Sequence, residues 1–509
     1  RFFLRVLPGE ITGIIPMLFS SLVLAFFISF PLGILFVFNA HFQKGDLYRV
    51  YFLESLGSSV AGLMVYLFLI PVFSNWQGAA IVGACASLLI FFSFGKKKQI
   101  IFPLSILIFL AAFIAFDFPS QKIYWRPFSL IKSKDTPYGK LQILKTEEQI
   151  SLYNNSLHDY SYPNLAASEE SVHFALLQNP RARNVLLVGG GAGGGLSQIL
   201  KYSQVEVDYV ELDPEIIRLS LQFLPEREKS VLRNEKIRIF YQDGRAFLKE
   251  TAKRYDMIIL NLPEPATAQI NRFYTKEFFL EAREKLTEKG VFSFRVPSAE
   301  NYISLELQNF LSSLYFTLKE AFRFVEVVPG DTNIFLASSQ PLSIGFEELS
   351  RKIEDLNLEN SYVSPQLLFS RLSPLRIEFL KEKVSSGKKT INQDFSPISY
   401  FYNSVLWSTQ FKGLERKIFS FFSKVHFFWL LDLPLILFIS LLIVLWWKRQ
   451  KSTFFLLPLA VMGFTTIVVE IIVIISFQTL YGYVYRRIAL LLTCFMIGLF
   501  LGSFRGKKR

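Results

Sequence analysis

The sequence predicts an α/β domain, a parallel sheet with helices on both faces, suspended between two groups of transmembrane α-helices. Three observations predict it. Residues 185–214 read VLLVGGGAGGGLSQILKYSQVEVDYVELDP: an apolar strand, six glycines interrupted by Ala192, a helix, and a second strand ending in Glu211. Beyond it, apolar runs of strand length alternate with stretches of helix length, which implies parallel strands joined by helical crossovers. Hydrophobic residues make up 51% of the 509-residue chain, with a mean hydropathy of +0.33, and the excess lies at the two ends.

Taken in order, the first 119 residues hold apolar runs near 13–38, 52–73, 79–94 and 99–116, and three more lie near 428–447, 453–476 and 485–503. A bilayer span needs roughly 20 residues. About four transmembrane helices are therefore expected in 1–119 and about three in 427–509. The first run is too long for a signal peptide and lacks a small-residue cleavage pattern. The third and fourth are short and separated only by 95–98, so they read as a tight hairpin. Glu54 and Glu470 fall inside spans, where a carboxylate requires a polar partner or marks a pathway. The chain starts at Arg1 and stops at GKKR after an apolar run, which is compatible with a piece of a longer membrane protein.

Residues 120–180 read as a linker and a small N-terminal β-hairpin domain. Alternation over 138–153 gives the hairpin, with its turn at 146–148, and 168–178 gives a helix. Residues 181–345 carry the main sheet. Its strands are expected at 185–188, 205–210, 237–241, 256–260, 290–294, 325–328 and 333–337. Helices are expected at 196–202, 215–223, 245–253, 276–285 and 304–322. The last two strands, closed by Pro329-Gly330-Asp331 after a long helix, form an antiparallel pair and narrow the fold to a Rossmann-like methyltransferase sheet. Residues 346–426 read as a helical extension returning to the membrane.

In such a sheet, ligands sit at the carboxyl ends of the strands. Three loops meet there. Gly189, Gly190, Gly191, Gly193 and Gly194 suit a turn that touches a ligand with bare backbone. Glu211, about 20 residues further on, stands where a ribose-binding acid is expected. Asp243, before Gly244, is a candidate acceptor for an adenine amino group, although Asp-Gly is also common turn chemistry. The pattern points to a nucleoside.

With these residues in view, a resemblance emerges. VLLVGGGAGGG, YVELDPEII, QDGRAFL and YDMIILN followed by FYTKEFF resemble the spermidine synthases, the polyamine aminopropyltransferases, over about residues 135–340. ILNLPEPATAQINRFYT, VPGDTNIFLAS and INQDFSPISYFY between apolar runs are similar to membrane-fused bacterial members of that family. The resemblance implies that an amine attacks the methylene beside the sulfonium of decarboxylated S-adenosylmethionine and releases methylthioadenosine. The family's Asp-Ser-Ser-Asp-Pro loop, with its base and its amine-binding acid, is matched here by Asn261, Leu262, Pro263, Glu264 and Pro265. Asn261 cannot take a proton, whereas Glu264 can. The family's Tyr-His-Glu amine motif is matched by Ala167, Ser168 and Glu169, and its glutamine by His158. These departures spare the nucleoside pocket and change the amine side.

Asn261-Leu262-Pro263 is also similar to the Asn-Leu-Pro loop of amino-methyltransferases, in which the Asn orients an amine. Gln269, Tyr274 and Asp331 are further polar candidates, and His173 is expected to pack rather than react. Three functions follow: a membrane-bound aminopropyl or methyl transferase acting on a polyamine-type amine, a nucleoside- or polyamine-sensing domain regulating transporter-like helices, and a transporter with a structural soluble part. The expected small-molecule substrates are decarboxylated S-adenosylmethionine or S-adenosylmethionine together with an amine. Lipid is an expected partner, and a homodimer is left open. No metal is expected, since His41, His158, His173 and His426 are scattered without ligand spacing. Cys85 and Cys494 both lie in apolar runs and exclude a disulfide framework. The net charge of +13 sits largely in Lys/Arg clusters beside the apolar runs, which favours membrane flanks over nucleic acid. Positive residues balance across the membrane once the flanks are counted. A nucleoside substrate places the soluble part in the cytoplasm, with the helices multi-pass in a bacterial inner membrane.

Overall fold

A computed structural model describes residues 14–43, 46–94, 101–410, 451–481 and 485–506, with isolated positions between 421 and 443. Among the described residues, two sheets build the part between the apolar ends. The smaller is an antiparallel meander of β1 (Ser129–Thr136), β2 (Gly139–Thr146), β3 (Gln149–Asn154) and β4 (Leu157–Tyr162), in that order. The alternation over 138–153 accounts for two of these four strands; β1 (SLIKSKDT) and β4 (LHDYSY) carry few apolar residues and no regular alternation. Leu141, Ile143, Leu152 and Tyr160 form the inner face and pack with Ile216 and Leu219 of the helix Pro214–Phe223 and with Ala192 of the glycine loop. That packing seats the meander on one edge of the larger sheet.

The larger sheet contains β5 (Asn184–Val188), β6 (Glu206–Glu211), β7 (Ile237–Tyr241), β8 (Tyr255–Leu260), β9 (Leu286–Pro297), β10 (Phe324–Val328) and β11 (Thr332–Ser338). Its order is β10-β11-β9-β8-β5-β6-β7; β5 to β9 are parallel, and β11 alone is reversed, pairing antiparallel with both β9 and β10. This is the Rossmann-like methyltransferase arrangement. The order reverses at β5, so the carboxyl ends of β5, β6 and β8 converge around one crevice. Strands covered on both faces read as continuous apolar runs, and Val185, Leu186 and Leu187 are wholly buried. On one face the helix Leu305–Ala321, capped by Ser304 through the Leu307 N–H (3.2 Å), buries Leu307, Leu311, Leu314 and Leu318. These meet an aromatic layer in which Phe294 and Phe335 stack at 4.9 Å. The helix expected over 168–178 is two short helices, Leu165–Glu170 and His173–Leu176. The Ser171 hydroxyl bonds back to the Ser168 carbonyl (2.8 Å), and Val172 leaves the helical region at φ −131°.

After the sheet, the helices Phe346–Asp355, Pro365–Arg371, Pro374–Ser386 and Ile398–Ser408 follow. The stretch before the last of them crosses back over the domain. Asn392 is buried and donates to the Asn271 side-chain oxygen and to the Tyr274 carbonyl, both at 2.9 Å. Asp394 receives two hydrogen bonds from Arg245 (Nη1 at 2.8 Å, Nη2 at 2.9 Å), and the Nε and Nη2 of Arg245 also donate to Glu281, both at 2.8 Å. Two bidentate carboxylates thus fix one buried guanidinium and hold its pKa above the ordinary value, against the opposing effect of burial. Removing one member of such a cluster leaves buried charge uncompensated. Arg245→Ala is therefore expected to cost about 3 kcal/mol, read as a fall in the thermal midpoint of the purified protein, with Arg245→Lys recovering part of it.

Among the described residues, four helices are long and apolar enough to cross a membrane: Pro16–Phe42, Tyr48–Val72, Val461–Gln478 and Arg487–Arg505. A bent pair, Ile106–Ala115 and Asp117–Tyr124, meets at 46° and is a broken-span candidate. Of the seven expected runs, that at 79–94 lies within the helix Asn75–Phe94 and is not among the four. At 1.5 Å per residue its apolar part reaches only about 24 Å, short of a hydrocarbon core of about 30 Å. The run at 428–447 lies outside the described residues apart from isolated positions. The helix Leu47–Met64 packs along the last helix, Tyr485–Gly506, with Phe52 against Phe500 at 4.7 Å and Gly62 against Thr493.

Candidate active site

The crevice at the strand ends opens into a cavity of about 270 Å³. Its walls come from the end of the meander (His158, Asp159), the short helix after it (Ala167, Ser168), the glycine loop (Gly190, Gly193, Gly195), the loop after β8 (Asn261, Leu262, Pro263, Glu264) and the end of β9 (Arg295). Each wall is held by the fold rather than by a ligand.

The glycine loop is tight because other chain fills the space a side chain would need. Gly190 has φ +60°, and a Cβ there would lie 2.5 Å from the Asn261 side-chain nitrogen. Asn261 donates that amide to the Gly190 carbonyl (3.2 Å), and its own N–H to the Val188 carbonyl (2.9 Å). Its side-chain oxygen keeps no partner among the described residues. A Cβ on Gly191 would strike the Tyr209 ring at 2.8 Å. Tyr209 in turn donates to Glu211 at 2.9 Å, so the ring links the glycine turn to the acid.

Glu211 is buried and also receives the Asp213 N–H at 3.4 Å. Burial, then the neighbouring Asp159, pushes its carboxyl up to about 8, and burial pushes Asp159 up to about 6. Asp159 lines the cavity and its charge resists the ionisation of Glu211, which is not itself on the cavity wall. Asp159 has no hydrogen-bond partner among the described residues. A cation placed beside the pair would relieve the repulsion.

The other candidates separate clearly. Gly190, Gly193, Asn261, Glu264 and His158 line the cavity, whereas Gly189, Gly191 and Gly194 shape the loop from outside the wall. His158 bonds to Ser161 at 2.7 Å, and burial, with Arg295 second, lowers its pKa. Asp243 and Gly244 are not on the wall. The Asp243 carboxylate caps the helix Gly244–Glu250 through the Arg245 and Ala246 N–H groups (3.1 and 3.0 Å) and pairs with Arg272, so the part offered to adenine is already engaged. Gly244 makes room for Val188. Gln269 sits on the short helix Ala268–Asn271, away from the cavity, and Asp331 is exposed. Tyr274 is buried and donates to the Leu262 and Pro263 carbonyls (3.3 and 2.8 Å), so it positions the loop carrying Glu264. His173 is buried between Tyr202 and Gln198, and burial lowers it to about 4. Glu169 turns away from the cavity to accept the N–H groups of Ser361, Tyr362 and Val363 at 2.7–2.9 Å.

Asp159 and Arg295 were not singled out from the sequence. The readable signal is a charge inside a largely apolar strand, Val-Phe-Ser-Phe-Arg-Val, since a guanidinium flanked by apolar neighbours requires a partner.

Comparison with known proteins agrees with the geometry. Residues 165–344 match the spermine/spermidine synthase domain. A polyamine aminopropyltransferase of Oceanobacillus iheyensis is 27% identical over 353 residues, covering 66% of this chain and 66% of that protein. Polyamine aminopropyltransferase 2 of Aquifex aeolicus is 28% identical over 335 residues, covering 60% of this chain and 65% of that protein. The chain thus spans just under two thirds of the length of these two relatives. Among solved structures, a spermidine synthase from Thermotoga maritima is similar at 18% identity and a TM-score of 0.42, covering 50% of this chain and 87% of that one. The chain carries a spermidine synthase-like domain.

Proposed function

We propose that this protein is a membrane-bound transferase that moves the aminopropyl group of decarboxylated S-adenosylmethionine to a polyamine-type amine. The observation that carries the reading is the shared cavity. Gly190 and Gly193 form one wall, and Asn261 and Glu264 form another. A nucleoside along the glycine edge, with its ribose hydroxyls on Glu211, would send its sulfonium tail into that space. The Asp159–Glu211 pair would then face the cation that relieves it.

In the reaction, the acceptor nitrogen forms a bond to the methylene and the carbon–sulfur bond breaks. Methylthioadenosine leaves with the electron pair. The proton lost by the nitrogen goes to the Glu264 carboxylate. Because the sulfonium is already a good leaving group, positioning and proton acceptance are the chain's contributions. The Asn261 side-chain oxygen, its amide being bonded to Gly190, can accept an N–H of the amine and aim the lone pair. The same feature favours methyl transfer from S-adenosylmethionine to an amine as the second reading.

The apolar helices support a multi-pass protein with lipid around it. A nucleoside substrate supports a cytoplasmic face for the soluble part, in a bacterial inner membrane. The test is incubation of purified protein with decarboxylated S-adenosylmethionine and a panel of amines, followed by mass spectrometry. Methylthioadenosine with a lengthened amine is expected. Adenosylhomocysteine formed from S-adenosylmethionine would move the assignment to methyl transfer, and binding without either product would leave a sensor.

A further inference from the structure

Arg295 is a charge without a counter-charge. It lies in β9 among Phe292, Ser293, Phe294 and Val296, all buried, and its guanidinium forms part of the cavity wall. One nitrogen donates to the Ala167 carbonyl at 3.2 Å, and no carboxylate lies within 4.0 Å among the described residues. Glu170 is the acid that acts on it electrostatically, and Glu170 is already paired with Arg371. Arg371 also holds the Pro329 and Thr332 carbonyls, at 2.6 and 3.0 Å, so it is not free to release that acid. Two guanidinium groups therefore share one carboxylate.

The neighbouring groups do not supply the missing charge. Tyr274 has a pKa far above its ordinary value because it is buried, so it stays neutral. His158 is pushed towards neutrality by burial. Glu264 lines the same cavity but is not among the groups that perturb Arg295. A guanidinium has five donors in a planar fork, and a carboxylate matches that fork with two parallel bonds. For a pocket that took only a diamine and a decarboxylated tail, a positive charge in the wall would repel both.

We propose that Arg295 seats a carboxylate of the ligand, so that this cavity takes an amino-acid-type molecule. This rests on the reading of the cavity as the transferase site. The anion has two sources with one chemistry: the carboxylate of S-adenosylmethionine itself, or that of the acceptor amine. Asp159 and Glu264 then supply the opposite charge for an ammonium or sulfonium centre, and the pocket is complementary to a zwitterion. With S-adenosylmethionine as donor, the bond changes remain those of the proposed reaction. The transferred chain keeps its carboxylate, the carbon–sulfur bond breaks to methylthioadenosine, and the amine proton goes to Glu264.

Calorimetry with matched pairs tests this on the purified full chain. The first pair is S-adenosylmethionine against its decarboxylated form. The second is ornithine against putrescine, with methylthioadenosine present. Wild type is expected to bind the carboxylated member of at least one pair about ten- to a hundred-fold more tightly. The pair that responds identifies the source. Arg295→Met removes the preference, and Arg295→Lys, which keeps charge without the fork, retains part of it. Affinity for methylthioadenosine, which has no carboxylate, stays unchanged in both variants and shows that the pocket is intact. A wild-type preference for the decarboxylated member of both pairs would overturn the proposal, as would a carboxylate preference that survives Arg295→Met. If one variant fails to fold, the wild-type comparison and the other variant still decide. Failure of wild type to bind methylthioadenosine would instead remove the transferase reading itself.

Discussion

Glu211→Ala lowers the affinity for decarboxylated S-adenosylmethionine by about a hundred-fold or more, since two charge-assisted hydrogen bonds to ribose hydroxyls are lost together. The Tyr209 hydroxyl also loses the carboxylate to which it donates. The wild-type protein should show a further signature. In the free site the Glu211 carboxyl titrates near 8 and Asp159 near 6. A bound cation favours the ionised form of both, so binding releases protons at neutral pH. Affinity therefore rises as pH climbs from about 6 towards 8 and levels off once both are ionised. Titrations in buffers of different ionisation enthalpy measure the released protons. Glu211→Ala should remove the upper part of that rise, and methylthioadenosine, which is uncharged, should show a shallower one. A wild-type affinity independent of pH would mean that no cation reaches this pair.

Glu264→Gln should leave binding of the donor nearly unchanged and reduce kcat by about 10²- to 10⁴-fold, the usual contribution of a positioned general base. The substitution keeps the size and hydrogen bonding of the side chain and removes only its ability to take a proton. A defect confined to kcat separates a base from a binding group, whose loss would raise KM. The defect should narrow at high pH, where more of the acceptor amine is already neutral. Equal turnover in the variant and the wild type would transfer the proton to another acceptor, and Asp159 is the next carboxyl on the cavity wall.

What could be read from the sequence follows from how local each feature is. The β5–glycine–helix–β6 unit and Glu211 are contiguous, and strand burial on both faces leaves an apolar signature, so the sheet and its ligand edge were legible. The final antiparallel pair announced itself through Pro329-Gly330-Asp331. The cavity was only partly legible because its walls come from distant segments. Asp159 follows His158 in a polar strand, and nothing local shows that the meander folds onto the glycine loop. Asp243 was read from its Asp-Gly turn as a ligand acceptor, but an Asp preceding a helix also suits an N-cap, and Arg272 adds a second claim on it. Tyr274 is a polar candidate in the sequence, but its hydroxyl is spent on two carbonyls of the loop it supports. The stretch containing Asp394 stood out as a motif, yet its partner Arg245 lies far away in the chain. Only the folded arrangement shows that it serves to neutralise a buried guanidinium.

The central claim is that the glycine edge, Glu211 and the cavity before Glu264 form one adenosyl-sulfonium pocket. Titration of purified protein with methylthioadenosine tests it most directly, because this ligand carries the nucleoside and sulfur without the tail or the charge. The account predicts saturable binding at one site per chain, competitive with decarboxylated S-adenosylmethionine and strongly weakened by Glu211→Ala. Absence of binding, or binding that neither competes with the sulfonium nor responds to Glu211, would contradict it.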